Sequence, residues 1–211
     1  RFGHKITSID DIVEVDYSQN YEGNDKERDR KYRHIIFFAY ENIISGNYRM
    51  AREELEMAAG LKARGNYELG KFYYYCKSDN QNAVNMFRFA YNDGINEAVY
   101  YLGKIEEESG NIELAIDWYN EGAKKGDINS ITRLGKIAEE KNDYKKAEEF
   151  YLKAADTKDA GEIYNLVNLY FKQNMREKVI EWHKKLMNEK QITGLTFEII
   201  KNIEFMLGSE K

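Results

Sequence analysis

The chain has 211 residues, enough for one compact domain, two small ones or one elongated array. Its 32 basic and 37 acidic residues give a formal net charge of −5 and are interspersed, so no dense cationic tract invites a polyanion and nucleic acid is not expected as a partner. Proline is absent, which suits unbroken helices, and no apolar run approaches the ~18 residues needed to span a bilayer.

Residues 1–24 match nothing else in the chain. Val13, Val15 and Tyr17 alternate there with Glu14 and Asp16, a short extended pattern. This segment is expected to be an extended or disordered arm. Its acidic groups, Asp10, Asp11, Glu14 and Asp16, suit it to a cationic groove on its own or a neighbouring molecule, and a leader from an upstream anchor is the alternative. The chain starts at Arg1 rather than methionine. The compartment therefore stays open between cytoplasmic and periplasmic or envelope-associated.

From residue 25 to 190 the chain repeats itself. Steps of thirty-two residues connect Ala51, Ala83, Ala115, Ala147 and Val179. Four residues on, the series reads Leu55, Phe87, Tyr119, Tyr151 and His183, and three further it reads Ala58, Ala90, Gly122, Ala154 and Leu186. Offsets of four and seven share one helix face. Small, large and small residues there let a second helix approach closely while an aromatic fills the gap.

A second helix precedes each of these and carries Leu69-Gly70-Lys71, Leu102-Gly103-Lys104, Leu134-Gly135-Lys136 and Leu166-Val167-Asn168. Glycine in a helix interior costs ~1 kcal/mol, so three at one register imply close packing. Turns are expected at Gly46-Asn47, Ser78-Asp79, Gly110-Asn111, Asn142-Asp143 and Asn174, and again near Gly94, Gly126-Asp127 and Lys158-Asp159. Residues 191–211 hold Leu195, Ile199, Ile203 and Met206 at helical spacing, which reads as a capping helix and tail.

Paired helices at this period predict an all-α, right-handed α-solenoid of about five helix–turn–helix repeats, some eleven helices in all, with a C-terminal capping helix. The pattern L-G-x11-A-x3-[FY]-x2-[AG], as in Leu102, Gly103, Ala115, Tyr119 and Gly122, resembles the tetratricopeptide repeat. "DWYNEGAKKG" and "EFYLKAAD" are also similar to the second helix of Sel1-like repeats. The resemblance covers roughly residues 30 to 190. A period of thirty-two is short for either family, and the slot that often holds proline carries Ala63, Ile95, Asp127, Asp159 and Gln191.

The resemblance implies a concave groove lined by the first helix of each pair. Carried onto this chain, the positions flanking each leucine are Tyr67, Tyr100, Thr132 and Tyr164, then Lys71, Lys104, Lys136 and Asn168. Three residues further come Tyr74, Glu107, Glu139 and Phe171. Tyrosines offer rigid contact area and lysines meet carboxylates, so the implied ligand is an extended, acidic protein segment. The plainer alternative pairs each lysine with a glutamate of its own helix, Lys104 with Glu108 and Lys136 with Glu140.

Little chemistry competes with this reading. His4, His34 and His183 are too scattered for a metal or a nucleophile–base pair, and His183 fills an aromatic packing slot. Cys76, alone, forms no C-x-x-C pair. No cofactor, metal or catalytic group is expected. The residues favour a non-enzymatic interaction scaffold. A structural subunit of a larger assembly, using the convex face or an end, is the alternative. Single-stranded RNA binding is a weaker third.

Overall fold

The computed structural model describes residues 24–157, 160–187 and 194–208, and every described element is helical. The first helices of the pairs are α1 (Asn24–Ile44), α3 (Ala63–Phe72), α5 (Ala98–Glu108), α7 (Ile128–Glu140) and α9 (Ala160–Lys172). Their partners are α2 (Tyr48–Leu61), α4 (Asn80–Asn92), α6 (Ile112–Lys124), α8 (Tyr144–Ala155) and α10 (Arg176–Met187), followed by α11 (Gly194–Gly208). The expected arm, residues 1–24, lies outside the described residues except for Asn24, which begins α1.

Each expected turn inside a pair is made by one residue in the left-handed region. These are Gly46, Ser78, Gly110, Asn142 and Asn174, at φ of 76, 52, 85, 60 and 56°. Gly94 and Gly126 do the same between pairs. An aspartate often follows as cap: Asp79, Asp127 and Asp143 accept the backbone N–H of Asn82, Ser130 and Lys146 at 3.1, 2.8 and 3.2 Å. A left-handed residue satisfies the last carbonyls of one helix and the cap the first amides of the next.

The second pair departs from the others. Leu69 precedes Ala83 by fourteen residues, whereas Leu102 precedes Ala115 by thirteen. The extra residue is absorbed in a π-helical turn, Tyr73–Lys77, that continues α3. Such turns accommodate single insertions without breaking a helix.

Two compact units divide the chain at Trp118/Tyr119, inside α6. In the first, Ile36, Ala39, Tyr40 and Ile43 of α1 bury against Ala51, Leu55 and Ala58 of α2 and Leu69 and Phe72 of α3. A second cluster joins Tyr67, Ala83, Phe87, Ala90, Ala98, Leu102 and Ile105. In the second unit Ala147, Tyr151, Leu166, Val167, Val179 and Leu186 share a core with Ile199, Ile200 and Ile203 of α11. The last helix thus covers the end of that core, as a cap must.

Glycines explain the pair geometry. A Cβ on Gly70 would lie 2.8 Å from the Phe87 ring, and one on Gly135 would lie 2.6 Å from the Tyr151 ring. In these two pairs the second helix therefore pushes its aromatic into the notch left by the first.

Candidate functional site

The face expected to bind is built, in the first unit, on α3 and α5. Salt bridges and hydrogen bonds one repeat apart hold these helices side by side. Arg64 Nη1 donates to Glu97 Oε1 at 2.6 Å, and the Tyr74 hydroxyl donates to Glu108. Tyr75 and Tyr101 bring their hydroxyls to 3.4 Å.

Tyr67 lies beneath this surface. Its ring is buried edge-on against Phe87 and Tyr101, at 5.9 and 5.7 Å between centroids. The Arg64 guanidinium and the Lys71 ammonium sit over it at 4.6 and 5.4 Å. Burial first, and the Glu68 charge second, push its phenol well above the ordinary range. Lys71 donates to Glu68 at 3.1 Å, and that buried carboxylate also accepts from the Tyr40 hydroxyl. The own-helix pairing weighed from sequence thus holds for Lys71.

Lys104 behaves differently. Its ammonium lies over the rings of Tyr74 and Tyr75, 5.1 and 5.6 Å from their centroids, rather than on Glu108. Cation–π contacts of this kind contribute ~0.5–2 kcal/mol depending on exposure. Tyr100 stands edge-on to Tyr101 at 5.4 Å, and Tyr101 stacks on Phe87 at 4.7 Å and 13°. Tyr74, Tyr100, Lys104 and Glu107 are all partly exposed, and Tyr75 is exposed. The rings are held by one another, so little rotamer entropy remains to be lost on binding.

In the second unit the corresponding positions fall on α7 and α9. Thr132 is buried and donates to Glu162 at 2.6 Å, so its hydroxyl ties the two helices together. Lys136 is exposed, while Tyr164, Asn168 and Phe171 are partly buried, the two aromatics against the core. Glu139 accepts from Lys172 at 2.6 Å and from the Tyr151 hydroxyl at 2.9 Å, and Glu140 lies 3.5 Å from Arg133.

Participants not singled out from sequence are Tyr75, Tyr101 and Arg64, with the carboxylates Glu68 and Glu97. The signal that could have found Tyr75 is the fourteen-residue spacing, because the added π-turn residue brings Tyr74 and Tyr75 both to the α5 side. His183, expected in an aromatic packing slot, has its Nε2 buried, lacking a hydrogen bond and 3.8 Å from Glu204 of α11. Burial pushes the Cys76 thiol up. Among the described residues no group of three His, Cys, Asp or Glu could hold a metal, and no helix is long and apolar enough to cross a membrane.

This arrangement of paired helices recurs in solved structures. The structure of Pseudomonas aeruginosa pilF aligns with a TM-score of 0.61 at 13% identity, over 87% of this chain and 90% of that one. The APC/C hetero-tetramer Cut9–Hcn1 aligns at 0.59 and 14% identity, over 86% of this chain and 36% of that one. No family model matches the sequence, and no curated protein matches it. The chain is an all-α array of helical repeats. Its fold is that of the tetratricopeptide-repeat proteins.

Proposed function

We propose that the chain is a non-enzymatic scaffold for protein–protein interaction and that α3 and α5 present its working surface. The observation that carries this reading is the cluster of Tyr74, Tyr75, Tyr100 and Tyr101 rings, with the Lys104 ammonium over Tyr74 and Tyr75. Tyrosines enriched at one place and fixed before binding are the usual anchors of interfaces. An extended segment laid over them would bury rings, and a carboxylate in it would draw Lys104 off Tyr74 and Tyr75. The Cut9–Hcn1 hetero-tetramer, one of the similar folds, is itself an assembly of two kinds of protein. Exposed single ion pairs contribute under ~1 kcal/mol, so ring burial supplies most of the affinity and Lys104 sets register and on-rate. In the second unit, Tyr164, Asn168, Phe171 and Lys136 form a smaller face of the same kind.

A display library of random twelve-residue peptides, selected on the full chain, tests this. Selected peptides should carry an acidic residue beside an apolar one and should protect α3 and α5 from hydrogen exchange. Protection confined to other helices would remove the α3–α5 face from consideration.

One observation favours a second reading, a structural subunit docking through the second helices. Met50, Met57 and Phe89 on α2 and α4 are all more than half exposed. Met57→Ser with Phe89→Ser would then abolish binding that Tyr100→Ala leaves intact.

A further inference from the structure

The outer face of α1 is the side of the first unit on which no repeat packs among the described residues. A terminal repeat ordinarily turns a polar face outward. Here Phe37, Phe38 and Ile44 are 48, 43 and 44% exposed. Phe37 and Phe38 stand edge-on at 5.6 Å, and His34 meets Phe38 at 4.7 Å. At 100° per residue Lys26, Arg30, Phe37 and Ile44 fall along one stripe. Its N-terminal half is cationic and exposed, and its C-terminal half is apolar. Such a stripe costs solubility unless something lies on it.

We propose that residues 9–17 of the same chain lie along this stripe as an extended N-terminal cap, folding back from Asn24. Length agrees. Nine extended residues span roughly 30 Å at ~3.3 Å each, and the helix from Lys26 to Ile44 rises about 27 Å at ~1.5 Å per residue. Polarity agrees as well. A chain reversing through residues 18–23 brings Glu14 and Asp16 beside Lys26 and Arg30. It carries Ile9 and Val13 on toward Phe37, Phe38 and Ile44. Period-two alternation turns Ile9, Val13, Val15 and Tyr17 to one side, so these meet the helix, and the long Lys26 and Arg30 side chains reach past the edge of the strand to Glu14 and Asp16 on its outer side. Asp10, on the outer side and beyond the reach of Lys26 and Arg30, takes no cation in this register, which makes it the control. The site is separate from the α3–α5 face, and the proposal stands or falls independently of it.

Hydrogen exchange on the full chain, compared with a variant lacking residues 1–23, tests the cap. Deletion should raise exchange severalfold across residues 33–45 and leave α7 to α9 unchanged, and a synthetic peptide of residues 5–18 should restore protection. Glu14→Lys with Asp16→Lys should reproduce the deletion without shortening the chain, whereas Asp10→Lys should not. Unchanged exchange on deletion, or equal effects from the two charge reversals, overturns the proposal. Protection that disappears on dilution together with a dimeric mass would assign the occupant to a second copy, and would overturn it too.

Discussion

The Cβ that Gly65 lacks would lie 2.3 Å from the backbone of Ala58 and Ala59 in α2, while the one missing from Gly60 would meet nothing within 4 Å. Gly135 falls between these cases, since what it would strike is a side chain, the Tyr151 ring. Alanine gains ~1 kcal/mol over glycine in a helix interior, and overpacking costs ~1–3 kcal/mol. Gly60→Ala should therefore stabilise by a few tenths to ~1 kcal/mol, near the end of α2 as it is. Gly135→Ala should cost up to ~2 kcal/mol, because Tyr151 is buried and tied to Glu139, so its ring cannot swing away. Gly65→Ala should cost the most, since backbone cannot yield to it. Urea unfolding of the three variants orders them, and a neutral Gly65→Ala would contradict the close approach of α2 and α3.

At the scale of the elements, turns and pairing were legible in the sequence because they rest on local chemistry. Gly46, Gly110, Asn142 and Asn174 are residue types that tolerate a left-handed backbone, and Ser78 was placed by its register with them. Ser78 pays for that conformation most directly, so Ser78→Gly should raise stability by ~1 kcal/mol. No change in the thermal midpoint would deny the strain. The placement of Tyr67 was not legible. Position alone assigned it to the groove, but its neighbours from the next repeat, Tyr101 and Phe87, close over it with Arg64 and Lys71. The burial of Thr132 was not legible either, because its partner Glu162 lies thirty residues away.

Longer-range polar ties also set a pH response. Glu148 on α8 accepts from Lys178 at 2.7 Å and from the Tyr170 hydroxyl at 2.8 Å. The Lys178 hydrogen bond first, and then the Tyr170 one, outweigh desolvation and hold its carboxyl below the ordinary range. A carboxylate depressed on folding stabilises above its unfolded pKa of ~4.3 and loses that contribution as pH falls through the lower folded value. Exchange in α10 should rise below about pH 4, and Glu148→Gln should show the raised exchange already at neutral pH with a flatter profile. Identical profiles would show that the tie carries no stability.

For the whole molecule, repeats couple chiefly to their neighbours. Ala147 is fully buried in the second unit, so Ala147→Leu should cost ~1–3 kcal/mol. Exchange should rise over α7 to α9 and leave α1 to α4 as they were, and an even rise everywhere would refute the quasi-linear picture. Function is the larger claim. Period, helix pairing and turns could be read from residue spacing, because each is a local or nearest-neighbour property. The working face could be read only in part, because exposure depends on what the adjacent repeat lays over each position. The measurement that decides it is the dissociation constant of a library-selected acidic peptide for the parent chain and for Tyr74→Ala/Tyr100→Ala, both shown folded by circular dichroism. Loss of two buried ring contacts at ~1–2 kcal/mol each predicts weakening by tenfold or more, with Lys104→Ala costing less and mainly flattening the salt dependence. Equal affinity for the parent and the double variant would contradict the assignment of α3 and α5 as the binding face.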